Sequence, residues 1–189
     1  MSVIVKGGGA SEKVKIDGSL VTEPMNLTRY LFDQNISSLP YDFYRGRCEI
    51  LNGEVHIFGG FDSGARRKHY KFNGNTWVSV ATLPYDFYDG ASVVYNGQLH
   101  IFGGSASTEG TNHYIWNGSK WVTSVFMDYL FTHGEAVVYN NEIHLLGGDG
   151  NDYQNHYKWN GSTWTEVGLL GVPITDGGAV VFNNEIHTL

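Results

Sequence analysis

Histidine is the side chain that most readily binds a metal or moves a proton near neutral pH, and in this chain its positions are regular. His56, His100 and His144 are each 44 residues apart, and His187 follows after 43. A second series, His69, His113 and His156, keeps the same register, and each member precedes a tyrosine. The ligands of one metal must converge, whereas residues at one position of successive repeats are held apart by the repeat itself. The regularity therefore argues for structural histidines and against a metal centre. The run Asp149-Gly150-Asn151-Asp152 carries oxygens suited to calcium but lacks the spacing and closing Glu of an EF-hand. Cys48 is the one cysteine, which excludes an intramolecular disulfide or a Cys-rich zinc site. No histidine stands beside it in sequence to activate a thiolate. Several loop carboxylates exist, but no spacing selects a pair for sugar hydrolysis. These residues point to no catalytic set, no metal and no cofactor, and the expectation is a protein that is not an enzyme.

What would have to position such residues is a tandem repeat. Gly59-Gly60, Gly103-Gly104 and Gly147-Gly148 recur every 44 residues, and Tyr70, Tyr114 and Tyr157 and Trp77, Trp121 and Trp164 keep the register with one 43-residue step. The hexapeptide Leu39-Pro40-Tyr41-Asp42-Phe43-Tyr44 returns verbatim at residues 83–88. Within one unit Ala91-Ser92-Val93-Val94-Tyr95 and Gln98-Leu99-His100-Ile101-Phe102 flank Asn96-Gly97, a strong hairpin signal. A second hairpin turns at Asn117-Gly118. Four short strands per unit follow, and no segment has helical periodicity. Both faces of such a sheet carry apolar residues, so each unit must stack on its neighbours, and radial stacking gives a propeller.

The Gly-Gly doublet after the second strand, the Tyr in the third and the Trp in the fourth together resemble the kelch repeat, over residues 39–189. No Trp is followed by Asp, so the signature of the WD40 blade is missing. The resemblance implies an all-β, kelch-type β-propeller of four-stranded antiparallel blades, with strands running from a central channel outward. In the first blade these fall near 46–51, 54–58, 69–72 and 76–80. Three blades are complete, and residues 179–189 supply half of another. By the same resemblance, Tyr30-Leu31-Phe32 and Ile36-Ser37-Ser38-Leu39 would be the missing outer strands. Against that closure, nine residues separate Tyr30 from Leu39 where thirteen separate Tyr70 from Leu83, and no Trp stands in the fourth strand. Two other outcomes stay open, a piece of a longer ring and completion of the half blade by another chain.

The tight turns share one end of the propeller: Asn52-Gly53, Asn96-Gly97, Asn140-Asn141 and Asn183-Asn184 between first and second strands, and Asn73-Gly74, Asn117-Gly118 and Asn160-Gly161 between third and fourth. All read as positive-φ turns. The longer loops emerge at the other end, and those between second and third strands differ from one another while the strands beside them are nearly copied. Divergent loops on a repeated frame suggest a binding face. Its candidate residues are Phe61, Asp62, Arg66 and Arg67 in the first such loop, Ser105, Thr108 and Glu109 in the second, and Asp149, Asn151, Asp152 and Tyr153 in the third. Tyr41 and Tyr85 join them from the loops between blades. Aromatic rings beside Asp and Asn suit sugar stacking and hydroxyl recognition.

The net charge of −7 and the lack of clustered Lys and Arg beyond Arg66-Arg67-Lys68 argue against nucleic acid as a partner. No apolar run is long enough to insert in a membrane, and the N-terminus lacks a secretion signal. Residues 1–27 stand outside the repeat, leaving 28–189 as the propeller. The arm holds a Gly-rich start and then Lys13-Val14-Lys15-Ile16-Asp17-Gly18-Ser19-Leu20-Val21, two short strands around an Asp-Gly turn. This pattern is similar to N-terminal arms of phage tail and prophage structural proteins. It implies a virion-associated module with a phage structural partner; without it, the missing export signal points to the cytoplasm. The function expected is a non-catalytic binding or assembly module that takes a protein or glycan on the loop face. One alternative is a purely structural module forming homo-oligomers through the arm and half blade. Another is a carbohydrate-acting enzyme, since the kelch family includes copper oxidases of the galactose oxidase type and sialic acid mutarotases. Cys48 has small repeat equivalents, Ser92 and Ala136, which suit packing rather than a Tyr–Cys cross-link.

Overall fold

The computed structural model describes residues 15–16, 19–20, 37–61, 67–104, 110–148 and 153–189. Among them the regular structure is all β. The chain divides into two compact units, residues 1–36 and 37–189. In the first, β1 (Lys15–Ile16) pairs antiparallel with β2 (Ser19–Leu20), the hairpin expected around Asp17-Gly18. The strand expected at 30–32 lies outside the described residues, and 37–39 carry no strand.

The second unit is built from four antiparallel sheets, each running in chain order. The first sheet comprises β3 (Arg47–Leu51), β4 (Glu54–Phe58), β5 (Lys68–Phe72) and β6 (Trp77–Thr82). The second comprises β7 (Ala91–Tyr95), β8 (Gln98–Phe102), β9 (His113–Trp116) and β10 (Trp121–Thr123). The third comprises β11 (Glu135–Tyr139), β12 (Glu142–Leu146), β13 (Asn155–Trp159) and β14 (Trp164–Leu169). The half sheet has β15 (Ala179–Phe182) and β16 (Glu185–Thr188), which pair only with each other among the described residues. Neighbouring sheets meet along their first strands, β3 on β7, β7 on β11 and β11 on β15. The arrangement is propeller-like, with the first strands innermost.

The turns explain the register. At all four first hairpins both turn residues have positive φ, from Asn52 (53°) and Gly53 (80°) to Asn183 (50°) and Asn184 (60°), which matches strand twist in a two-residue loop. The second hairpins work differently from expectation: only Gly74, Gly118 and Gly161 have positive φ. Their asparagines act through the side chain instead. Asn73 Oδ1 accepts from the backbone N–H of Asn75 and Thr76 at 3.0 and 2.9 Å, and Asn117 and Asn160 repeat the pattern.

The Gly-Gly doublets are where one unit receives the loop leading to the next. Gly60 N–H donates to Phe87 O at 2.8 Å and Gly104 N–H to Phe131 O at 2.9 Å. A Cβ on Gly59 would lie 2.1 Å from Phe87 O, and one on Gly103 would lie 1.8 Å from Phe131 O. The docked loops drive Phe87 and Phe131, both fully buried, into the seams between sheets. The seam between the first two sheets gathers Leu51, Phe58, Phe87, Leu99, Ile101 and Trp116, and the next one Val93, Phe102, Phe131, Ile143, Leu145 and Trp159. The third seam holds only Val137, Leu146 and Ile174 as buried residues.

Candidate functional site at the channel mouth

The first strands, with Val55 of β4, line an open channel of about 650 Å³ bordered mainly by Ile50, Val55, Val93, Val94 and Val138, with Cys48, Ser92 and Ala136 also on its wall. Cys48 is exposed there, so the small residues of its series line the channel rather than fill a core. The channel's polar group, Glu49, accepts a hydrogen bond from Ser92 Oγ at 2.6 Å, and burial raises its pKa above the ordinary carboxylate value. Polar groups converge instead at the loop end. A cleft of about 170 Å³ there is lined by Arg45, Arg47, Asp89, His133, Glu135, Asp176 and Gly177.

Four of these residues occupy one repeat position. Arg45, Asp89, His133 and Asp176 each precede the glycine that leads into a first strand, and each has positive φ: 60°, 56°, 60° and 50°. Side chains other than Gly are uncommon in that conformation and are concentrated where surrounding structure imposes it. Here a chain of backbone bonds does so. Asp89 N–H donates to Arg45 O, His133 N–H to Asp89 O and Asp176 N–H to His133 O, at 3.0, 2.8 and 2.9 Å. The arc crosses from unit to unit around the mouth, presenting a different side chain at each step.

The charges are partly matched. Arg45 grips Asp89 with two nitrogens, Nε to Oδ1 at 2.7 Å and Nη2 to Oδ2, and His133 Nε2 stands 3.3 Å from Asp89 Oδ2. Arg47 reaches across the channel from β3, donating to the carbonyls of Gly90 and Gly134 and to Glu135 Oε1, the last at 3.3 Å. Burial raises the pKa of Glu135; Arg47 opposes the shift and the nearby Asp176 adds to it. Asp176 is exposed. Beside the arc, Phe61 packs edge-on between Tyr44 and Tyr88, with ring centroids 5.7 and 5.2 Å away. The Arg45 guanidinium lies 5.4 and 5.2 Å from the Phe61 and Tyr88 centroids. Tyr44 is half exposed. The mouth thus joins an aromatic surface to a network of charged and polar side chains, in which His133 is held by Thr132 through Nδ1 at 3.1 Å and by Asp89 through Nε2. Among the described residues no cluster of His, Cys, Asp and Glu could hold a metal ion.

The residues expected from sequence fare unequally. Phe61 lies at the site. Arg67 is peripheral, donating to Asp86 at 2.8 Å, and Tyr153 is exposed on the loop of the third sheet. Tyr41 and Tyr85 serve the frame instead. Their hydroxyls donate to the first glycine carbonyl of each doublet, Gly59 at 2.9 Å and Gly103 at 2.7 Å, and Tyr85 is only 4% exposed. Tyr85 is withdrawn from the candidate surface for that reason. Asp62, Arg66, Ser105, Thr108, Glu109, Asp149, Asn151 and Asp152 lie outside the described residues. The arc itself escaped the sequence reading, although a signal was present: Arg, Asp, His and Asp alternate at one position just before a copied glycine.

No family model matches the chain, and no curated protein matches it. Among solved structures it is similar to one described as the structure of YjhT, with a TM-score of 0.64 and 17% identity, over 77% of this chain. The match spans 57% of that structure's length, and at this identity the likeness shows the fold alone.

Proposed function

We propose that this chain is a kelch-type propeller module that binds a glycan, without catalysis, at the channel mouth, as the host-surface-binding part of a phage tail or prophage particle. The observation that carries this reading is the arc: one strained backbone position, occurring in four copies, presents Arg45, Asp89, His133 and Asp176 in turn, with the half-exposed ring of Tyr44 at its Arg45 end. A position kept for folding would be copied with its neighbours, as the Phe43, Phe87 and Phe131 series is. The β1–β2 hairpin supports a distinct attachment arm. The test is a bacterial surface-glycan array probed with the full chain and with His133→Ala and Asp176→Asn. Selective binding that both substitutions weaken is expected. A silent array, or binding indifferent to both, would overturn the reading.

A second reading, an oligomerisation module, rests on the half sheet, where Val180, Val181 and Phe182 are exposed. Sedimentation of the full chain distinguishes the two, because that reading requires a stable oligomer.

A further inference from the structure

The two histidine series have no part in the mouth, yet they meet. In each full sheet a second-strand histidine faces a third-strand one: His56 Nδ1 to His69 Nε2 at 2.8 Å, His100 to His113 at 2.9 Å and His144 to His156 at 2.8 Å. One proton fits between ring nitrogens at that distance, so a neutral pair has one donor and one acceptor. The remaining nitrogen of His69, Nδ1, is buried with no hydrogen-bond partner, and His113 has the Val125 backbone as its remaining polar neighbour. Each of these rings stands edge-on to a tryptophan of the next sheet. His69 is 4.9 Å from Trp116 at 85°, and His113 is 5.1 Å from Trp159 at 89°. A weak N–H···π contact satisfies this geometry. Each pair therefore holds one proton between its facing nitrogens, whichever ring carries it.

A further proton would set two N–H groups head to head and place a charge in the seam. The groups facing His69 are His56, Phe58, Trp116 and Trp121. Those facing His113 are His100, Phe102, Trp159, Trp164 and the Val125 backbone. Glu54 acts on His56 and Glu142 on His144, but each is already paired, with Lys71 and Lys158. The second sheet has Gln98 and Ile115 at those positions, and the Tyr95 backbone is the polar neighbour of His100.

We propose that the His69–Trp116 and His113–Trp159 joints form an acid-sensitive latch that holds adjacent sheets together when neutral and lets them part reversibly, with strands intact, when the pairs take up a further proton. Burial pushes His69 and His113 down to about 3 and His100 and His156 down to about 4, and lowers His56 and His144 as well. A histidine whose folded pKa lies below its unfolded value of 6.5 contributes stability that is complete above that value and is lost as pH falls towards the folded one. Glu49 and Glu135, raised by burial, have the opposite sign, so their protonation does not loosen the fold.

The experiment is a pH titration of the full chain from about 8 to 4, followed by tryptophan fluorescence for the joints, far-ultraviolet dichroism for the strands and histidine ¹⁵N shifts for the tautomers. The tryptophan signal is expected to change reversibly below about pH 6, ahead of the strand signal, with uptake of more than one proton. His113→Gln, which keeps an acceptor but cannot be charged, moves that change to lower pH. If the variant does not fold, the unaltered chain decides, with His69 and His113 neutral until the tryptophan signal changes and protonated with it. Either ring titrating near 6.5 in the folded chain, or the two optical signals moving together, overturns the latch.

Discussion

The seam between the first two sheets and the seam between the third sheet and the half sheet use the same first-strand contacts but are unequally built. In the former, the outer strands add Trp116 and Trp121, and Leu51 and His56 are 7% and 3% exposed. At the latter, His156, the equivalent of the fully buried His69, is only half-buried, and in the half sheet Phe182 is 63% exposed. First strands alone therefore do not bury the repeat. The third and fourth strands supply the aromatic half of the first two seams, and the third-strand histidines His69 and His113 are fully buried where that half is present. Energetically, the unit is the interface between sheets rather than the sheet.

The largest effect that sharpens this contrast is in the first seam. Phe87→Ala removes a fully buried ring and should cost about 3–5 kcal/mol. Phe182→Ala, at an exposed position, should cost less than about 1 kcal/mol. Urea unfolding of both variants checks the difference, and equal losses would dissolve it. Next come the doublets. Gly103→Ala collides with the Phe131 carbonyl and should cost about 3 kcal/mol or more, since overpacking adds to the backbone conformation. Gly118→Ala meets nothing within 4 Å and should cost only about 1–2 kcal/mol for its positive φ. Thermal midpoints of the two variants give the comparison.

The repeat period, the hairpins and the four strands per unit were legible because turn chemistry and strand alternation are local. The mates of the histidines were not, because diagonal neighbours across two strands, such as His56 opposite Lys71 and His69 opposite Phe58, meet only once the register of β4 on β5 is known. The purpose of the Gly-Gly doublet was equally hidden, since its partner is the Phe87 carbonyl of the next loop. Tyr85 misled for the same reason: an aromatic in a loop reads as a contact residue until its hydroxyl is found on Gly103 O. The channel-mouth arc is legible as a divergent position, Arg45, Asp89, His133 and Asp176, just before a copied glycine.

Acidification should produce a smaller loss per residue. At pH about 4.5, protonation of pairs such as His100–His113, whose pKa values burial lowers, should destabilise the fold relative to neutral pH. Denaturant midpoints should therefore fall between about pH 6.5 and 4.5; flat midpoints would contradict the neutral pairs. The smallest effect on stability is expected at the mouth, where Asp176→Asn alters an exposed side chain and should stay within about 0.5 kcal/mol.

That last variant also gives the most direct measurement of the central claim, that the mouth recognises while its neighbours fold. Calorimetric titration of a glycan selected on the array, run on the full chain and on Asp176→Asn beside its urea midpoint, should show affinity reduced about tenfold or more with the midpoint unchanged. Unchanged affinity, or affinity lost only in step with stability, would contradict it.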